Sequence, residues 1–141
     1  MDSREIVRDA LRALDEPGGV GFIERLTEDA EMVSPLATLT GRDAIGPFIQ
    51  SMHAAFSDWH HDVTIEAAGD LVVAEGTWNG THTGPMLSPQ GEVPATGKRA
   101  SVPFVGIVRV RDGRVASVHN YFDQMTFMAE LGLLPEPVVA V

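Results

Sequence analysis

The chain has 141 residues, 44% of them hydrophobic, with no cysteine and a formal net charge of −10. That length fits one domain (1–141) with a real core. The missing cysteines remove disulfide and thiol chemistry, and the acidity argues against nucleic acid and anionic membrane as partners. No apolar run of membrane-spanning length is visible, and no charged-then-apolar signal segment opens the chain, so the expectation is a cytoplasmic protein.

In chain order, Ser3 stands where a helix cap belongs, and Ile6, Val7, Ala10, Leu11 and Leu14 follow at helical spacing. Pro17-Gly-Gly19 breaks that helix, and Phe22, Ile23 and Leu26 predict a short second one. Glu31 to Ser34 reads as a short strand stopped by Pro35. Asp43 then caps a longer helix with the apolar stripe Ile45, Phe48, Ile49, Met52, Ala55 and Phe56, and Pro47 is placed in its first turn. After Asp58-Trp-His-His61 the pattern turns extended. Val63 and Ile65 begin a strand, Gly69-Asp70 is a turn, and Leu71 to Gly84 is a long strand. Pro85 to Gly97 is a Pro- and Gly-rich loop, placed near the mouth of a pocket. Ala100 to Arg111 is another long strand, Asp112-Gly113 a hairpin turn, and Val115 onward the last strand. Asp123 caps a closing helix whose buried face is Phe127, Met128 and Leu131. Helices first and long antiparallel strands later predict an α+β class. The expected architecture is a curved antiparallel sheet wrapped over the N-terminal helices, an α+β roll with a cone-shaped cavity.

The last strand carries the densest polar groups, flanked by aromatics. Alternation puts Val118, Asn120 and Phe122 on one face and His119 and Tyr121 on the other. Asn120 does not titrate, which excludes it as a general base, yet its amide suits a carbonyl or enolate oxygen. His82, inside Gly80-Thr-His-Thr-Gly84, shares a face with Trp78 and is a candidate proton shuttle. Asp123 is either a base or only the helix cap. His53 is expected near the cavity rim or in solvent, and His60 and His61 in solvent or at an interface. None of these three has metal-ligand spacing, so no metal and no cofactor are expected.

The segments Gly41-Arg-Asp-Ala-Ile45, Gly80-Thr-His-Thr-Gly84, Thr96-Gly-Lys-Arg99 and Arg109-Val-Arg-Asp-Gly-Arg114, followed by Tyr121-Phe-Asp123, resemble the nuclear transport factor 2-like fold, and within it the SnoaL-like polyketide cyclase group. The resemblance covers nearly the whole chain. It implies the α+β roll, and a homodimer through the outer sheet face carrying His119 and Tyr121. It also implies where catalytic groups stand in related enzymes. The catalytic Asp of aldol-type cyclases and of limonene epoxide hydrolases falls on Asn120. The hydrolases' Arg and second Asp fall on Gly76 and Trp78, and their water-holding Tyr and Asn on Met32 and Ser34. The ketosteroid isomerase base falls on Ser34, its oxyanion-hole Asp on Gly106 and its Tyr on Ala10. A cyclase His falls on Gly106 too. Every acid or base carried over thus meets a residue that cannot transfer a proton near neutral pH.

The resulting reading is a cofactor-free cyclase- or isomerase-type enzyme of polyketide or related natural-product biosynthesis. It acts by templating and carbonyl polarisation, with Asn120, His82 and Asp123 as the catalytic candidates. Met32, Ser34, Phe48, Met52, Phe56, Trp78, Phe104, Gly106, Val108 and Val118 are expected to line the cavity and favour a small apolar organic substrate. The alternatives are a non-catalytic binding protein of the same fold, and a hydrolase or isomerase with relocated acids, requiring Asp58, Glu66, Glu75 or Asp123 in the cavity. If the cavity holds no carboxylate, activity is expected to vary little between about pH 5 and 8, apart from a titration of His82.

Overall fold

The computed structural model describes residues 1–88 and 91–134, so two residues of the expected Pro/Gly-rich loop and the last seven residues lie outside the described part. The first helix, α1 (Ser3–Asp15), is capped by Asp2, which accepts from the Glu5 N–H; Ser3 instead donates its hydroxyl to the Gly69 carbonyl. A 3₁₀ turn at Pro17–Gly19 places Gly18 and Gly19 at positive φ, and α2 (Val20–Glu24) follows. Leu26 lies beyond that helix and opens β1 (Leu26–Val33), a longer strand than Glu31–Ser34 alone implies. Next come β2 (Thr38–Thr40) and α3 (Arg42–Ala55). Gly41, not Asp43, is the cap of α3, so Pro47 lies inside the helix rather than in its first turn.

The long strands are β3 (Phe56–Ala68), β4 (Leu71–His82), β7 (Arg99–Arg111) and β8 (Arg114–Phe122). Between β4 and β7 the expected loop contains a small hairpin, β5 (Met86–Ser88) and β6 (Gly91–Val93). The chain closes with α4 (Gln124–Glu130), capped by Asp123.

The main sheet runs β2-β1-β8-β7-β4-β3. All its neighbours are antiparallel except β1 and β8, which pair in parallel. This is the expected α+β class, with one parallel pair at the junction between the N-terminal half and the last strand. α1 packs across β3, β4, β7 and β8, and α4 packs on β7. Two apolar clusters result. Val7, Ala10, Ile45, Ile49, Val72 and Val115 belong to one, between helices and sheet; Met52, Phe56, Val102, Phe127 and Leu131 belong to the other, nearer the closing helix. Phe48 touches both clusters.

Two features of the strands shape the concave face. In β3 the register against β4 slips between Ser57 and His60, with Asp58 at φ 53°. One extra residue is inserted there, which is a bulge, and a bulge reverses the alternation beyond it. Phe56 faces inward before it, and Trp59, His61, Val63 and Ile65 face inward after it. In the sheet centre, Gly76 pairs with Phe104 and Gly106 pairs with both Ala74 and Asn120. A Cβ at Gly76 would stand 1.8 Å from the Asp62 carbonyl oxygen, so β3 approaches β4 closely only because no side chain intervenes.

Candidate active site

The concave face holds a cavity of about 130 Å³ that opens to solvent on one side, and its wall is mostly apolar. Aromatic rings dominate it: Phe48 from α3, Trp59 from β3, Trp78 from β4, Phe104 from β7, Phe122 from β8 and Phe127 from α4. Trp59 and Trp78 meet edge to face with centroids 5.3 Å apart. Both indole N–H groups are buried without an acceptor among the described residues.

Polar groups reach this wall at few points. Asn120 projects from β8 over Gly106, where an added Cβ would sit 2.9 Å from the Asn120 Oδ1. The absence of a side chain at Gly106 is therefore what leaves room for the amide. Ser34 lies at the end of β1 and accepts from the Leu36 N–H. The remaining polar group is His61. Its side chain is 9% exposed, and its Nδ1 lies 2.5 Å from Asp15 Oδ1, while Asp15 Oδ2 accepts the His61 backbone N–H at 3.0 Å. A carboxylate only accepts, so Nδ1 carries a proton and donates it, which leaves Nε2 as the nitrogen that can take up a proton whenever the ring is neutral. The hydrogen bonds of His61 run through Nδ1 and the backbone N–H, and Nε2 takes part in none of them among the described residues.

Asp15 is the last residue of α1. A negative charge at a helix C-terminus opposes the helix dipole, so this carboxylate is not there to cap its own helix. Its two oxygens are both spent on His61. The adjoining Leu14 carbonyl accepts from His53 Nε2 at 2.7 Å, and the His53 ring stacks on Trp59 at 4.2 Å. Burial lowers the His53 pKa below that of an ordinary histidine, partly offset by the Leu14 hydrogen bond and by nearby Asp15. His53 thus stands as a neutral brace between the end of α1 and the cavity wall.

The sequence candidates divide as follows. Asn120, Met32, Ser34, Phe48, Met52, Trp78 and Phe104 line the main cavity. Gly106, Val108 and Val118 line a smaller chamber beside it. Phe56 is buried behind the wall, packed edge-on to Trp78. His82 does not reach either space. It is fully buried, with Nδ1 against Thr96, stacked on Phe56. Asp123 is exposed, and its carboxylate accepts from the Met125 N–H and the Thr126 hydroxyl. Asp58, Glu66 and Glu75 are also exposed and line neither space. His61 corrects the expectation of a solvated or interface residue, because the bulge at Asp58 turns it inward. Asp15 and Trp59 were not singled out from the sequence. The signal available for Asp15 is an acid at the wrong end of a helix, just before Pro17-Gly-Gly19.

Among the described residues no cluster of three or more His, Asp or Glu side chains is arranged to hold a metal ion, and no helix is long and apolar enough to cross a membrane.

These features define a nuclear transport factor 2-like α+β roll with an apolar, aromatic-lined pocket. The family profile described as SnoaL-like polyketide cyclase matches residues 7–131, and the chain belongs to that family. Among solved structures it is similar to a protein provisionally assigned as a polyketide cyclase from Xanthomonas campestris pv. campestris, with TM-score 0.79, 22% identity, and 92% and 96% of the two chains covered. It is likewise similar to AclR from Streptomyces galilaeus, provisionally assigned as a hydroxylase (TM-score 0.78, 23% identity, 94% and 97% covered). TsrD from Streptomyces laurentii gives TM-score 0.74 at 25% identity, with 93% and 98% covered. No curated protein matches the sequence.

Proposed function

We propose that this protein is a cofactor-free enzyme that removes a proton from a carbon next to a carbonyl in an apolar, oxygenated substrate of polyketide type, leading to ring closure or a double-bond shift. The observation that carries the reading is the Asp15–His61 pair on an otherwise apolar wall that also holds Asn120. In this reading His61 Nε2 takes the proton. The electron pair of the broken C–H bond moves onto the carbonyl oxygen, and the Asn120 amide donates to that enolate oxygen. Asp15 keeps the imidazole in the tautomer and orientation that leave Nε2 basic. A general base of this kind contributes roughly 10²- to 10⁴-fold, and templating by the aromatic wall adds to it. The unpartnered indole donors support an oxygenated ligand, since a buried donor without an acceptor costs about 1–3 kcal/mol.

The test needs no cognate substrate. 2-Tetralone in D2O is assayed for protein-dependent deuterium incorporation next to the carbonyl, and its binding is followed by tryptophan fluorescence. Exchange above buffer is expected. His61→Gln should lower it by roughly 10²- to 10⁴-fold. Asp15→Asn should lower it as well, and Asn120→Leu by roughly 10- to 1000-fold, with binding retained in each. Binding without any exchange above buffer would overturn the enzymatic reading in favour of a small-molecule binding protein.

A further inference from the structure

Beside the main cavity lies a second, smaller chamber of about 40 Å³, set between α1, α2 and the sheet, with β1, β3, β4, β7 and β8 all contributing to its wall. Its inner wall is Val7, Ala10, Phe22, Val108, Val115 and Val118, all buried. The two spaces share five lining residues: Leu14, Met32, His61, Phe104 and Asn120. The waist between them is therefore where His61 and Asn120 stand, while Ser34 lines the outer cavity alone. We infer that the pocket is bipartite, with the inner chamber serving as a subsite for a short alkyl arm of two or three carbons attached to the carbonyl that reacts at the waist.

This rests on the proposed role of His61 and Asn120, and it fixes the substrate class more narrowly. Sizes decide the assignment. A water-sized group occupies roughly 10–15 Å³ on this measure, so 40 Å³ holds about three such groups. An apolar cavity of roughly 150 Å³ accommodates a benzene ring. The outer chamber, at about 130 Å³ and open on one side, takes one ring and lets the remainder of a fused aromatic body extend toward solvent. A ring cannot enter the inner chamber, and a short chain placed outside would forfeit burial against six apolar side chains. A carbonyl held at the waist then has its aromatic side outward and its alkyl side inward. The carbon next to the carbonyl on the alkyl arm is the one set beside His61. Gly106 is part of this design, because it lines the inner chamber and its missing Cβ leaves space there as well as for the Asn120 amide.

The experiment is a binding series of 2-naphthyl alkyl ketones, from methyl to pentyl, read by quenching of Trp59 and Trp78 fluorescence. Each carbon that enters the chamber should tighten Kd by roughly fourfold, the worth of a buried methylene. The gain should stop at ethyl or propyl, and longer chains should bind more weakly. Ala10→Leu fills the chamber and should flatten the series while leaving the methyl ketone bound. Val108→Ala enlarges it and should move the optimum to a chain at least one carbon longer, which keeps the test decisive if the leucine variant does not fold. A series that rises steadily through pentyl, that is flat in the wild type, or that ignores both substitutions would overturn the inference. Affinity is read without turnover, so a chain-length optimum in a protein that shows no deuterium exchange would refute the catalytic reading alone.

Discussion

Two aspartates at helix ends show how position decides the work a carboxylate does. Asp123 precedes α4, where the free N–H groups and the dipole both favour a negative charge. Its oxygens are used by Met125 and Thr126. Asp15 ends α1, where the dipole is unfavourable, and its oxygens go to a residue 46 positions away in sequence. One is a local structural group and the other holds a ring at the cavity wall. Asp123→Ala is therefore expected to cost about 0.5–2 kcal/mol in urea unfolding, the usual loss for a cap. Deuterium exchange into 2-tetralone should stay within about twofold of wild type at a temperature where the variant is folded. If exchange vanished in a folded Asp123→Ala protein, Asp123 would be the base and the strand face assigned to Asn120 would be wrong.

At the level of elements, the end of β4 is tied to the segment that leads into β7. His82 donates its N–H to the Lys98 carbonyl and accepts from the Gly97 N–H, while its Nδ1 accepts from the Thr96 N–H at 3.2 Å. That last bond requires a neutral ring, because a protonated Nδ1 would face another donor. Burial is the main cause lowering the His82 pKa, with a backbone contact to Gly84 opposing it. The sign follows. The unfolded chain binds the proton at the ordinary histidine value, 6.5, and the folded chain only at lower pH. The stability from neutral His82 is complete above about 6.5 and is lost as pH falls toward the depressed folded value; His53, lowered in the same direction, adds to this. Urea midpoints should thus drop between pH 7.5 and 5.5, and the drop should shrink in His82→Phe. A midpoint independent of pH over that range would refute this role for neutral His82. The same strands show what the sequence can disclose. Asn120 could be placed among Val118 and Phe122 because alternation runs unbroken from Asn120 back to Val118, close behind the Asp112-Gly113 turn. His61 could not be placed, because a single inserted residue at Asp58 reverses the faces and no residue type announces it. Its partnership with Asp15 depends on how α1 lies across β3, which local pattern does not encode.

For the whole molecule, the convex face of the sheet is the surface that the cavity does not explain. Cross-strand register aligns Val73, Ile107 and His119 in one row and Glu75, Val105 and Tyr121 in the next. Tyr121 is 61% exposed, and Val73, Val105 and Ile107 are only half-buried. Apolar and aromatic groups grouped on one face mark a contact surface, and this one points away from the cavity, so a second copy of the chain can cover it without closing the pocket. The expected assembly is a homodimer through the outer faces of β7 and β8. Charge opposes it, since each chain carries −10, and salt screens such repulsion within roughly 10 Å at 0.1 M. Light scattering at micromolar concentration should therefore report a dimer, more completely in 0.5 M NaCl than at low salt. Tyr121→Arg should shift the protein toward monomer by placing a solvated charge at the centre of the face, while deuterium exchange per chain stays unchanged because the pocket is built from one chain. A wild-type monomer at both salt concentrations would rule the dimer out. A Tyr121→Arg protein that remained dimeric would move the contact to another surface.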